Sequence, residues 1–194
     1  MSKGLRILLA SILVIMVLSA CGTTENNQKE DELDDEAVET NAAPEEVLVE
    51  LMNSEGQIVA TAELTEKEAG GVRIVLKGEN LPPGEHGFHI HEFGQCVPPD
   101  FESAGAHYNP TDSKHGFLHP EGPHAGDLKN IMVNEDGTVY AEVDAPMVTL
   151  SPDGENTLFT EEGTSLIIHA DPDDYKSQPS GNAGDRIACG VIGE

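Results

Sequence analysis

Residues 47–77 read VLVELM, NSEG, QIVATAEL, TEKEAGG and VRIVLK in succession. Val47–Met52, Gln57–Leu64 and Val72–Lys77 are short, β-prone runs in which apolar and polar side chains roughly alternate, and the segments between them are built from turn formers. Leu81-Pro-Pro-Gly84 makes a further break, and Gly87–His91, Asp127–Asn134, Thr138–Asp144, Ser165–His169 and Arg186–Ile192 repeat the pattern. Asn134-Glu-Asp-Gly137 joins two of these runs as a tight hairpin, because Asp-Gly supplies the backbone that such turns need. Eight short strands with turn punctuation predict an all-β, antiparallel sandwich or barrel.

Composition narrows the function. The 194 residues hold 36 acidic and 10 basic side chains, a formal net charge of −26. Such a chain repels phosphate backbones, which excludes nucleic-acid binding through a basic patch, and it does not dock on anionic lipid through its own surface. Aromatics are only 4% and Trp is absent, so the core has to come from Val, Ile, Leu and Ala, while 20 Gly and 12 Pro suit turns. There is no repeat, dinucleotide-binding glycine motif, phosphate-binding loop or nucleophile elbow.

The first 46 residues read as export and spacing. Lys3 and Arg6 precede an apolar run from Ile7 to Ala20, too short for the roughly 20 residues of a membrane span. Leu18-Ser-Ala-Cys21 resembles the lipobox of bacterial lipoproteins, which predicts a signal peptide over 1–20 and lipidation of Cys21. The alternative is an ordinary secretory signal cut nearby. Residues 22–46 then carry ten acids and one base, so 21–46 is expected to be a disordered, self-repelling tether to the outer face of a cell membrane. The remaining domain, 47–194, still has 26 acids against 7 bases.

Two stretches break the strand pattern. Glu92–Ala125 and Ala170–Asp185 are long and rich in Gly, Pro, Asp and Ser, and loops of this length in a compact domain are usually functional or disordered. The first holds four of the eight histidines. His89-Ile-His91 lies on a predicted strand, so both imidazoles share one face, with Phe88 and Ile90 on the other. His107, His115, His124 and Asp127 follow closely, and three imidazoles with one carboxylate make a tetrahedral set for zinc. His169 ends a later strand. Each residue alone would be core or surface filler; seven in this order are expected to form a metal site. If Cys21 is lipidated, Cys96 and Cys189 remain, and a lone pair in an exported protein reads as one disulfide rather than two buried thiols.

At these residues the sequence resembles the copper/zinc superoxide dismutases. Gly87-Phe-His-Ile-His-Glu-Phe-Gly94, Gly105-Ala-His-Tyr-Asn-Pro110, His124-Ala-Gly-Asp-Leu128 and Gly181-Asn-Ala-Gly-Asp-Arg-Ile-Ala-Cys-Gly190 match that family's signatures, and the likeness spans essentially all of 47–194. It implies an eight-stranded Greek-key barrel of immunoglobulin-like architecture and a reaction that turns superoxide into oxygen and hydrogen peroxide. By resemblance, His89, His91, His107 and His169 are copper ligands. His107, His115, His124 and Asp127 are zinc ligands, so that His107 bridges the metals and takes part in catalysis. Cys96–Cys189 is the family's disulfide, Arg186 the anion-steering arginine, and Asp173 the carboxylate that links a copper-ligand to a zinc-ligand histidine. His86 and His119 match no ligand position and are expected at the surface or in loops.

Two other readings compete: a non-catalytic metal-binding member of the same fold, and an anchored binding module using its acidic face. A full set of copper-type imidazoles plus Arg186 favours the enzyme. Around the second loop Lys176 and Arg186 face Asp171, Asp173, Asp174 and Asp185, which predicts weak steering of an anion despite screening over ~8 Å. Nothing in the sequence sets the oligomeric state.

Overall fold

The computed structural model describes residues 46–193. The predicted signal peptide, Cys21 and nearly all of the predicted tether lie outside the described residues. Nine strands follow in order: β1 (Val47–Asn53), β2 (Ile58–Glu66), β3 (Val72–Gly78), β4 (Gly84–His86), β5 (Phe88–His91), β6 (Ile131–Val133), β7 (Val139–Ala145), β8 (Thr164–His169) and β9 (Arg186–Ile192). Among the described residues the only helical piece is a 3₁₀ turn at Glu102–Ala104.

Seven strands form one antiparallel sheet in the order β5-β8-β9-β1-β2-β3-β7, and β4 pairs with β6 as a separate ribbon. The neighbours β1–β9, β3–β7 and β5–β8 are not consecutive in sequence, which is the Greek-key signature. The sequence predicts a strand only over Gly87–His91; β4 extends that run backwards to Gly84 with a break at Gly87, so that eight extended runs build the barrel. The Gly87 amide donates to the Asp171 carbonyl and its own carbonyl accepts from His169, each within 2.9 Å. This single run therefore belongs to both the ribbon and the large sheet and draws the curled sheet closed.

Period-two alternation fills the interior. Val47, Val49 and Leu51 of β1 and Val72, Ile74 and Leu76 of β3 are buried, while Leu48, Glu50, Arg73 and Lys77 face outwards. Among the described residues, Phe88 and Tyr108 are the aromatic rings buried in this aliphatic core, with Phe159 packed partly buried against it. A smaller cluster of Phe101, Ala104, Ile167 and Cys189 seats the first long loop on the outside of β8 and β9. The Cys96–Cys189 disulfide, with Cα atoms 5.6 Å apart and a sequence separation of 93, staples the same loop to β9.

Two expectations are corrected. The run predicted over Asp127–Asn134 is a strand only at Ile131–Val133. Residues 127–130 are drawn into the site instead: the Asp127 amide closes a turn on the His124 carbonyl, and the Asn130 amide donates to Tyr175 Oη. A third long connection, residues 146–163, crosses from β7 to β8 without a strand of its own, although Val148, Leu150 and Leu158 are buried there.

Replacing Cys189 with serine removes the staple and the constraint it puts on the unfolded chain. The expected loss is about 2–5 kcal/mol of unfolding free energy, read from denaturant melts.

Candidate metal centre

β5 and β8 set the first ligands. His89 and His91 alternate with Phe88 and Ile90, so the two aliphatic-core residues point inward and both imidazoles point to the other face. His169 ends β8, where the pairing with β9 slips by one residue: Ile168 pairs with Ala188, then His169 with Arg186. This bulge places Arg186, rather than Ile187, beside the end of β8.

The first loop folds back along β5. Tyr108 donates to the Ile90 carbonyl and Ile90 to the Gly126 carbonyl, at 2.8 and 2.9 Å, and His107 sits opposite His91. A side chain at position 126 would place its Cβ 2.3 Å from the Ile90 carbonyl oxygen, so only glycine allows this approach. His107, His115, His124 and Asp127 thereby come together behind His89 and His91.

The hydrogen bonds dictate which ring nitrogens remain free. His91 Nδ1 lies 3.0 Å from the Gly105 carbonyl, His169 Nδ1 lies 3.3 Å from the Gly184 carbonyl, and His89 Nε2 lies 2.9 Å from Asp173 Oδ2. Those acceptors require N–H donors, which leaves a lone pair on the opposite nitrogen of each neutral ring. The opposite nitrogens are His91 Nε2, His169 Nε2 and His89 Nδ1, and together with His107 Nε2 they are buried without any partner. Buried polar atoms are nearly always paired, so four such nitrogens grouped within 4.8 Å of one another call for a cation.

The second group is built around one carboxylate oxygen. Asp127 Oδ1 lies 2.8 Å from His107 Nδ1, 3.0 Å from His115 Nδ1 and 3.3 Å from His124 Nδ1. Ligand atoms about 2.0–2.1 Å from a tetrahedral zinc ion lie about 3.3 Å apart, close to this spacing. The other oxygen, Oδ2, accepts the backbone N–H groups of Gly116 and His124, which fixes the carboxylate plane. His115 Nε2 lies 3.0 Å from Asp173 Oδ1, so Asp173 contacts one ring from each group. Both groups are fully buried and share His107.

The profile described as Copper/zinc superoxide dismutase (SODC) matches residues 56–192. The chain belongs to the copper/zinc superoxide dismutase family. The Aquifex aeolicus protein named Superoxide dismutase (Cu-Zn) 2 is 56% identical over 144 residues, covering 74% of this chain and 84% of that one. The Bacillus subtilis protein named Superoxide dismutase-like protein YojM is 40% identical over 189 residues, covering 96% and 95%. The solved Cu/Zn superoxide dismutase from Brucella abortus superposes with a TM-score of 0.63 at 34% identity, covering 76% of this chain and 99% of that one. Copper and zinc are the metals that this superoxide dismutase family and its two histidine-rich groups call for.

Arg186 lines the same cavity as three of the copper-type imidazoles. Its Nη1 donates to the Phe101 carbonyl at 2.5 Å and its Nη2 to the Gly105 carbonyl at 2.6 Å. A cavity of about 560 Å³ opens onto His91, His107, His169 and Arg186, and Arg186 is the one cation among the residues lining it. Asp100, Glu102 and Asp185 border a second cavity that Arg186 also lines, and Glu92 is the one carboxylate among the residues lining the first.

His86 is corrected. Far from the surface, it is 3% exposed, with its two ring nitrogens each 2.8 Å from a carbonyl oxygen, of His169 and of Pro82. The closure of the barrel at Gly87 carries it inward beside His169. His119 does lie in a loop, accepting the Glu121 amide. Sequence reasoning also missed Asn130, Tyr175 and Gln178, which act on backbone groups far away in the chain and so leave no local signature.

Burial, and then the neighbouring His89, lower the rings of His107 and His169 to about 3 in the metal-free protein. Burial also opposes charge on His115, but its hydrogen bonds to Asp127 and Asp173 outweigh that and raise it to about 9. Burial alone would raise both carboxyls, yet the histidine contacts hold Asp127 and Asp173 below the ordinary carboxylate range. An unfolded histidine titrates near 6.5. Between about 3 and 6.5 the unfolded chain binds the protons that His107 and His169 refuse, so stability falls as pH drops through that window. The contribution of His115 is complete below about 6.5 and is lost as pH rises through 9. Thermal melts in chelator from pH 3.5 to 9.5 are expected to peak near 6.5; a melting temperature that climbs steadily from 6.5 to 9 would contradict the His115 assignment.

Proposed function

We propose that this oxidoreductase converts superoxide to oxygen and hydrogen peroxide at copper held by His89, His91, His107 and His169. Zinc is held by His107, His115, His124 and Asp127. The observation that carries the reading is the set of four unpartnered imidazole nitrogens, one of them on the ring that also faces Asp127. When bound, copper supplies the one-electron exchange that dismutation requires, while zinc, which has no redox change, supplies charge and structure.

The protein's own groups do the rest. Two superoxide anions and two protons give one oxygen and one hydrogen peroxide, so the site must attract an anion and deliver protons. Arg186 offers the positive charge, held in place by the carbonyls of Phe101 and Gly105. His107 lines the cavity, and its Nε2, which has no protein partner, is the atom placed to hold a proton and release it to the reduced product. Asp127 and Asp173 fix the rings that must not turn, because a ligand histidine is oriented by what its other nitrogen touches. Completeness of the four-imidazole set favours this reading over a non-catalytic metal-binding member of the fold.

We further propose, from the Leu18-Ser-Ala-Cys21 motif and the acidic segment behind it, that the protein is exported and lipid-anchored at Cys21 on the outer face of a bacterial cell membrane.

With copper and zinc loaded, His91→Ala is expected to abolish superoxide removal while the protein retains zinc; full turnover in that variant would overturn the ligand assignment. In the intact protein, the rate should change by less than about tenfold between low and physiological ionic strength, since one arginine in an acidic surround steers weakly. Cys21→Ser should move the protein from the membrane to the soluble fraction, and retention on the membrane would sink the anchor.

A further inference from the structure

His115 is gripped by the second loop in two places. Its ring Nε2 contacts the Asp173 carboxylate, and its peptide is engaged at both ends by one side chain. The His115 backbone N–H donates to Gln178 Oε1 at 3.0 Å, and Gln178 Nε2 donates to the His115 carbonyl at 2.9 Å. Gln178 thus copies the two-way pairing of an antiparallel strand partner on a residue 63 positions away. The same device recurs at Asp173: its backbone N–H donates to Asn130 Oδ1 at 3.0 Å, and Asn130 Nδ2 donates to its carbonyl at 3.0 Å. Both amides join the second loop to the segment that carries the zinc-type ligands.

Neither clamp is secondary structure, and neither side chain has a polar atom in the metal groups. The loops offer no continuous ladder at these points. Apart from the clamps, His115 and Asp173 are placed by the carboxylate and imidazole contacts and by bonds of their chain neighbours: the Lys114 amide to the Glu121 carbonyl, the Gly116 amide to Asp127, and the Asp174 amide to the Gly181 carbonyl. A ring nitrogen can hold its direction toward a metal only if the backbone behind it is fixed, and here a side-chain amide does the fixing.

We propose that Gln178 is a positioning residue that retards metal release from the His107, His115, His124 and Asp127 site by locking the His115 peptide to the second loop. This rests on the zinc assignment above. It predicts that the clamp controls how long the metal stays, more than whether the barrel folds.

The test uses the full chain with cobalt(II) placed in the zinc-type site, whose visible absorption bands report ligand geometry. Gln178→Met keeps the length of the side chain but neither donates nor accepts. It is expected to release cobalt to a chelator about tenfold faster, the scale of one to two net hydrogen bonds, and to broaden or shift the bands. Gln178→Glu keeps the acceptor for the His115 N–H and loses the donor, so its release rate should fall between the two. The melting temperature of the metal-free protein should fall in both variants by no more than the few degrees that one or two hydrogen bonds are worth. Release at the wild-type rate with an unaltered spectrum in Gln178→Met would overturn the clamp. So would a lowered metal-free melting temperature with an unchanged release rate, which would mark the residue as a fold support. If the wild-type chain takes up no cobalt, the zinc assignment falls and the clamp falls with it, whereas normal uptake with no effect of Gln178→Met removes the clamp alone.

Discussion

Seven ligand side chains converge in the interior of this protein, and a buried imidazole is useful to a metal only if the right nitrogen carries the lone pair. The acceptors around the site impose that choice. A carbonyl oxygen from Gly105 or Gly184, or a carboxylate oxygen from Asp173, can only accept, so the ring nitrogen facing it must bear the hydrogen. Every other feature serves this constraint. The barrel supplies fixed strand ends, the loops supply the acceptors, and burial keeps water from competing for either nitrogen.

The two halves of the site are held by different means. His89, His91 and His169 ride on paired strands, where ladder hydrogen bonds and the aliphatic core set their position. His107, His115, His124 and Asp127 ride on a loop without a ladder, and there the chain relies on glycine approaches, turns and side chains that pair with backbone. At Gly181, for example, a Cβ would fall 1.8 Å from Asp173 Oδ1, so the second loop reaches that carboxylate only through a residue without a side chain. The loop half is the half that side-chain changes at a distance can disturb.

Much of this was legible in the sequence. Alternation and turn residues predict the strands because one face of each is buried in a simple aliphatic core. The His-x-His pair declares its own geometry through the period of two. What could not be read was long-range. The slip that sets Arg186 opposite His169 depends on how β9 meets β8, and the burial of His86 depends on Gly87 closing the barrel. Asp127–Asn130 looks like a strand by composition, but its groups are recruited by Tyr175 and the ligand cluster instead. The amide clamps of Asn130 and Gln178 join residues dozens of positions apart, and a single sequence carries no trace of such pairings.

The bridge between Cys96 and Cys189 ties more than a loop to a strand. The carbonyls of Phe101 and Gly105, which hold the Arg186 guanidinium, lie in the segment that this bridge pins down. With both thiols reduced, that segment would keep the packing of Phe101 and Ala104 against Ile167 and its hydrogen bonds to His91 and Arg186, but lose its covalent tie to β9. Oxidation of two sulfur atoms therefore also braces the carbonyls that hold Arg186, the one cation among the residues lining the cavity.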